Sequence, residues 1–435
     1  MDNLTIIGQG PGDESLLTDK AKKALASARK IFNTREMPLS ELYAALENPG
    51  GGSEEATPAA HANAGAGSGG VAVLVSGDCG FFSVAKKLLN DFSDRYEIDV
   101  IPGISSIQYM SAKIKTPYDD AVIISMHGRD ANIVAKAAYN KKVFALTGGA
   151  NSAGEICRTL SRFGLGAVKV IVGERLSYRD ERIMSGNAAE LQDAVFHSLS
   201  VMYIENPSAA NPHTPLGDDD FVRGGVPMTK AEVRWLSIQK LCIDPRDIVF
   251  DIGAGTGSVA IEAARKAYDG FVYAIEAKGD ACALIRANAI KHGAYNMEIV
   301  RGEAPDAFDN LPAPDKAFIG GSSGKMGGII KKLLTLNPNV KITANAVSLQ
   351  TVGKIIACFE QYEIADTDII CVNIAKSKKT GGYDIMTAQN PVYIISGAGS
   401  GIAAGGGDGD GITAGGGDGD GIADGGGGGD GIADG

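Results

Sequence analysis

Residues 249–264, VFDIGAGTGSVAIEAA, set an aspartate, three glycines and a threonine in a pattern suited to holding a charged cofactor. The apolar run up to Asp251 predicts a buried strand. Gly253, Gly255 and Gly257 predict a tight turn through which backbone approaches a ligand. A helix opening near Thr256 would present free amide groups to a carboxylate or phosphate. The spacing is G-x-G-x-G, with Ser258 where a dinucleotide fingerprint requires its last glycine. This favours S-adenosylmethionine over a dinucleotide. Glu276 ends the next apolar run, where a carboxylate can accept both ribose hydroxyls. Gly302, Glu303 and Ala304 follow the third run, in place to cover an adenine.

Strand ends carry chemistry only if strands exist to position them. In the second half the expected strands are 247–253, 271–276, 297–302, 316–321 and 341–347, with a late pair near 363–374 and 391–395, a doubly wound α/β layout. The first half has its own alternation. LTIIG (4–8) reads as a strand, TDKAKKALASARKIF (18–32) as a helix opened by a Thr cap, VAVLVSG (71–77) as a strand and SVAKKLLNDF (83–92) as a helix. Short apolar strands follow at 100–103, 121–128 and 142–149. The fold class expected is α/β in both halves, with a Rossmann-like layout in the second.

Three regions break the pattern. Residues 48–70 are rich in Gly, Ala and Ser and read as a flexible insertion within a domain. Pro, Gly and Asp cluster around 205–227, which predicts a boundary there: a first domain over 1–204, a linker over 205–223 and a second domain over 224–396. From 397 to 435 a Gly/Asp unit repeats with a period of ten, as in GIAAGGGDGD and GITAGGGDGD, too poor in apolar surface to offset chain entropy. A disordered tail is expected.

Composition narrows the classes further. The net charge of -11 includes seven aspartates of the tail, so the rest of the 435-residue chain is only mildly acidic. An RNA substrate would call for a basic face with interleaved aromatics, and one Trp with 6% aromatics offers little of that. No nucleic-acid partner is expected. The six cysteines contain no C-x-x-C pair, and no metal site is expected. No apolar run approaches a membrane span, and the N-terminus lacks the basic-then-apolar order of a signal peptide, so a cytoplasmic protein without membrane contact is expected.

The segments PMTKAEVR (227–234), DIGAGTGSVAIEAAR (251–265), AIEAK (274–278), FIGGSSGK (318–325), NAVSLQT (345–351) and GGYDIMTAQNPVYIIS (381–396) resemble the cobalamin-pathway methyltransferases that act on precorrin-6 intermediates at C-15 and decarboxylate the C-12 acetate. That resemblance spans about 224–396 and implies a class I methyltransferase fold. It also implies that Thr229, Gly253, Ala254, Gly255, Thr256, Gly257, Glu276 and Ala304 line the cofactor site. Lys230, Arg234, Arg265 and Lys325 are the basic residues near these strand ends, and with Gly320 and Gly321 they are the candidates for holding a polycarboxylate macrocycle.

In the first half, GQGPGDESLLT (8–18), SGDCGFFSVAKKL (76–88), VIPGISSIQYMSAK (100–113), SMHGRD (125–130), LTGG (146–149) and VGERLSYRDERI (172–183) are together similar to the tetrapyrrole methylase family, in particular its C-5 methylating members. The implied site lies in a cleft between two α/β subdomains. Gly10, Pro11, Asp13, Ser76, Gly77, Asp78, Ser105, Ser106, His127 and Thr147 are implied to stand near cofactor or substrate. Both resemblances imply S-adenosyl-L-methionine, a tetrapyrrole substrate and a homo-oligomer. Neither half singles out a catalytic acid or base.

Overall fold

Short apolar runs ending in glycine or small polar residues become strands in both halves, and their glycines turn the chain at the strand ends. In the computed structural model, which describes residues 2–47, 69–126 and 131–401, the first sheet is parallel. It contains β1 (Asp2–Gly8), β2 (Lys30–Asn33), β3 (Val71–Val75) and β4 (Tyr96–Ile101) in the order β2-β3-β1-β4, with α1 (Asp19–Ser27), α2 (Leu39–Glu47) and α3 (Ala85–Phe92) between strands. Most of the 48–70 insertion, His127 and the repeats from residue 402 lie outside the described residues.

Thr18 caps α1 as expected, its Oγ1 accepting the Ala21 N–H at 3.2 Å. The helix nevertheless ends at Ser27 and does not run to residue 32. Ile31 and Phe32 instead pair in register with Ala72 and Val73, where a β-branched and an aromatic side chain extend the sheet.

Helix α4 (Ser106–Ile114) leads to a mixed sheet of β5 (Val122–Ser125), β6 (Lys142–Leu146), β7 (Lys169–Glu174), β8 (Arg182–Asn187) and β9 (Ser200–Glu205), ordered β5-β6-β9-β7-β8. α5 (Ile133–Tyr139), α6 (Ala153–Arg162) and α7 (Ala188–Leu191) connect these strands.

The third sheet follows α8 (Ala231–Leu241). Its strands β10 (Ile248–Ile252), β11 (Phe271–Glu276), β12 (Met297–Arg301), β13 (Lys316–Ile319) and β14 (Lys341–Ala346) are parallel, linked by α9 (Ser258–Lys266), α10 (Gly279–His292), α11 (Met326–Leu336) and α12 (Leu349–Gln361). β15 (Ala365–Val372) and β18 (Val392–Ala398) close one edge antiparallel, giving the order β12-β11-β10-β13-β14-β18-β15. Between β15 and β18 an unforeseen hairpin, β16 (Ala375–Thr380) and β17 (Tyr383–Ala388), turns at Gly381, whose φ is 62°. The sheet order reverses between β10, β11 and β13, so the crevice beyond the carboxyl end of β10 is where this architecture receives ligands.

The segment expected as a linker is not slack. The Asn206 amide donates to Ala137 O at 2.8 Å and the Ala210 N–H to Ala138 O at 3.0 Å, which ties 206–210 to α5. From Asn211 onward the ties change sides. Arg265 donates to Asn211 O and Thr214 O at 2.6 and 2.5 Å, and the Val222 N–H reaches Asn288 Oδ1 at 2.7 Å.

The two halves also touch directly. Tyr139 donates its hydroxyl to Asn296 Oδ1 at 2.8 Å, and the Asn296 amide nitrogen donates to Ala264 O and Ala267 O at 2.9 and 2.8 Å. Lys136 pairs with Asp269, and the rings of Phe163 and Phe271 meet edge to face at 5.6 Å. Since Asn296 is fully buried, Tyr139→Phe strands its carbonyl oxygen. The expected loss is about 1–3 kcal/mol in urea unfolding; an unchanged midpoint would show that water replaces the hydroxyl.

Candidate active sites

Three left-handed glycines shape the loop after β10: φ is 72° at Gly253, 56° at Gly255 and 78° at Gly257. A Cβ on Gly253 would lie 2.9 Å from the Gly321 backbone nitrogen, and one on Gly255 would lie 3.0 Å from Pro227 O. Only glycine permits this closeness. The Gly253 and Ala254 N–H groups donate to Ile275 O at 3.0 and 3.1 Å, and the Gly255 N–H donates to Glu276 Oε2 at 2.9 Å. Glu276 Oε1 accepts the Lys278 N–H at 2.9 Å, so the carboxylate is held rigid while each oxygen keeps a lone pair.

Around this loop lies a cavity of about 810 Å³, within the usual range for a small-molecule site. Its wall brings together Thr229, Lys230, Asp251, Gly253, Ala254, Gly255, Thr256, Glu276, Gly302, Glu303, Ala304, Gly320 and Gly321. Gly257 stands behind it and caps α9, against Ile285.

Asp251 is 1% exposed and neither carboxylate oxygen has a hydrogen-bond partner among the described residues. Burial pushes its carboxyl up to about 7, nearby Glu276 adds to the rise, and a weak contact from the Ala260 N–H opposes it. Thr256 Oγ1 is likewise buried and unpartnered. Orphaned polar atoms beside a cradle that a single Cβ would fill are the features of a site shaped for a polar ligand.

Arg234 and Arg265 need correction as macrocycle ligands, because both are buried on protein partners. Arg234 is fully buried, donates to Thr229 O at 2.8 Å and Leu216 O at 2.5 Å, pairs with Asp218 and Glu262 at 3.5 and 3.7 Å, and covers the Phe221 ring. It clamps the segment entering α8. Arg265 is buried on the same segment and has no route to a ligand. Lys325 is off the cavity wall, its ammonium shared between Glu303 and Asp306 at 3.2 and 3.7 Å.

Lys230 remains on the wall, joined by Lys278, which composition alone did not distinguish from surface lysines. Asn345, Gln389 and Asn390 were also missed. The Asn345 amide donates to Ser237 Oγ at 2.9 Å, a partner 108 residues away, and Gln389 and Asn390 arrive only because the hairpin returns the chain to β18.

In the first half, loops after β1 and β3 are stitched together. Gly10 and Gly77, with φ of 75° and 68°, exchange N–H···O bonds of 3.1 and 2.9 Å. A Cβ on Gly8 would stand 2.6 Å from the Gly103 nitrogen, bringing the loop after β4 to the same point. Buried Pro11 follows Gly10 here. Asp13 Oδ1 caps the next turn through the Ser15 N–H at 2.8 Å, a bond that lowers its carboxyl below the ordinary value, while its own N–H donates to Ser177 Oγ at 2.9 Å.

Several residues placed near ligand also have structural duties. Asp78 accepts from the Gly103 and Gly80 N–H groups at 3.1 and 2.9 Å. Ser105 forms a capping box with Gln108 ahead of Ser106 in α4. Thr147 is buried, its hydroxyl 2.6 Å from that of Ser200.

Two neighbours were missed. Arg35 donates from Nε to Ser76 Oγ at 3.0 Å and from Nη2 to Gly10 O at 2.5 Å. Its guanidinium lies 6.0 Å from the Tyr178 ring, against which Gly12 also packs. Reading 18–32 as one helix concealed that Arg35 follows a strand.

With both sites laid out, comparison with known proteins is informative. Residues 3–192 match the tetrapyrrole (corrin/porphyrin) methylases, and residues 219–398 match the precorrin methyltransferase domain. A probable cobalt-precorrin-6B C(15)-methyltransferase (decarboxylating) of Pyrobaculum calidifontis is 37% identical over 190 residues, 43% of this chain and 96% of the relative. The chain belongs to the precorrin methyltransferases. A second relative of that description, from Saccharolobus solfataricus, is 39% identical over 176 residues, covering 40% of this chain and 88% of its own. The precorrin-6Y C(5,15)-methyltransferase [decarboxylating] of Sinorhizobium sp is 28% identical over 396 residues, 89% of this chain and 94% of the relative. Like the first half, this precorrin methyltransferase's second half is α/β, and no helix among the described residues is long and apolar enough to cross a membrane.

Proposed function

We propose that the chain methylates a precorrin-6 intermediate, precorrin-6B or its cobalt form, at C-5 and C-15 and removes the carboxyl of the C-12 acetate, in corrin ring synthesis, with S-adenosyl-L-methionine as donor. One observation carries this reading: both matched regions stand in one chain, in the order of a relative, across 94% of its length, whose name states both methylations and the decarboxylation. The first domain, 1–204, would serve C-5 and the second, 224–396, C-15.

When bound, the donor's sulfonium supplies an electrophilic methyl for in-line displacement. Around it, Glu276 would accept the ribose hydroxyls through its remaining lone pairs, and Gly302–Ala304 would cover the adenine. The glycine loop at 253–257 would hold the amino-acid end and exclude water, so that orientation provides much of the rate. Lys230 and Lys278 would hold acetate or propionate side chains of the macrocycle.

Loss of CO₂ leaves an electron pair, which the conjugated macrocycle accepts, and a proton completes the C-12 methyl. The chain's task there is to hold the departing carboxylate, for which Asn345, Gln389 and Asn390 offer neutral amides. Mass analysis of the product of precorrin-6B and donor should show two methyl gains and one carboxyl loss. Two methyl gains without the loss would remove decarboxylation from the assignment.

A further inference from the structure

We propose that Arg35 is a carboxylate receptor of the first site, a reading that rests on the C-5 assignment above. Three elements fix this side chain. The loop after β1 offers Gly10 O, the loop after β3 offers Ser76 Oγ, and Tyr178 reaches over from the second sheet's side of the cleft. The Nε and Nη2 donors on one edge of the guanidinium are thereby engaged. Nη1 has no hydrogen-bond partner among the described residues, so the end-on edge, Nη1 with the second hydrogen of Nη2, is the edge a carboxylate engages in a two-pronged contact.

The charge balance points the same way. Arg35 is half-buried, and burial lowers its guanidinium below the ordinary value, yet no carboxylate among the described residues lies within ion-pair distance. Other cations in the same fold are neutralised: Arg175, stacked on the same Tyr178 ring at 4.7 Å, pairs with Asp180, and buried Arg234 pairs with Asp218 and Glu262. A partly desolvated cation that feels the Glu36 charge but forms no ion pair among the described residues, set among the glycine turns after β1 and β3, is complementary to an anion. Arg35 is also rigid before the ligand arrives, so little ordering entropy is lost on binding.

Two carboxylates could fill this place, the amino-acid end of the donor and a side chain of the macrocycle. The test is calorimetric titration of the full chain with S-adenosylhomocysteine and, separately, with uroporphyrin III as a carboxylated macrocycle. Arg35→Gln should weaken one of these affinities about ten- to hundred-fold, the size expected for one charge-assisted contact, and Arg35→Lys should recover part of it. Weaker S-adenosylhomocysteine binding at one of two sites assigns the donor; weaker uroporphyrin binding assigns the macrocycle. Unchanged affinity for both probes overturns the role. So does weakening of both together with a lowered thermal midpoint, which marks a staple between loops. Absence of C-5 methylation in the wild type would end the C-5 assignment while leaving these titrations valid.

Discussion

Asp251→Asn is expected to make the protein more stable above neutral pH while abolishing methyl transfer and CO₂ release at C-15. Burial pushes the native carboxyl up to about 7, against about 3.9 in an unfolded chain. Between those values the native state keeps a proton that the unfolded state gives up, so stability falls as pH rises through the window. The penalty is fully present above 7 and absent below about 4. It amounts to roughly 4 kcal/mol. Urea unfolding at pH 4 and pH 8 should show the variant and wild type alike at the lower pH and the variant several kcal/mol ahead at the higher one. An equal difference at both pH values would mean that the ionised carboxylate is not what the fold resists. C-5 methylation should survive in the same variant; its loss would show that the halves do not act independently.

The second large effect concerns Arg234. Arg234→Met removes the cation between Asp218 and Glu262, which are 14% and 9% exposed, and frees the carbonyls of Leu216 and Thr229. Breaking a buried pair from one side costs about 3–5 kcal/mol because the partner charges stay behind. Thr229 stands on the cavity wall, so donor affinity at the second site should fall as well. Adding Glu262→Gln should recover part of the stability, since it withdraws one stranded charge. A loss under 1 kcal/mol in denaturant melts would show that the segment holds its course without the clamp.

What could be read from the residues was whatever depends on local chemistry. The loop 253–257 declared itself because three positive φ values require glycine within five residues, and Glu276 because a strand end follows at the expected interval. The α/β class followed from alternating apolar runs. The misreadings share another cause, partners far along the chain. Arg234 looked like a macrocycle ligand because its acceptors belong to an irregular segment without periodicity. Lys30–Asn33 looked helical because what makes it a strand is β3, some forty residues later. Hairpin β16–β17 escaped because Lys376, Lys378 and Lys379 break the apolar alternation by which strands are recognised.

The path of residues 206–222 determines where this chain can be divided. Its hydrogen bonds change allegiance between Ala210 and Asn211, and Leu216 and Phe221 are buried against the second half. A fragment beginning at 224, where composition places the second domain, would lose that cover and open Arg234 and Glu262 to water. One beginning at 211 would keep it. Splitting this polypeptide into two separately made subunits therefore has a seam only a bond or two wide, and a chain cut there should leave two halves that still associate through the contacts of Tyr139, Lys136 and Phe163.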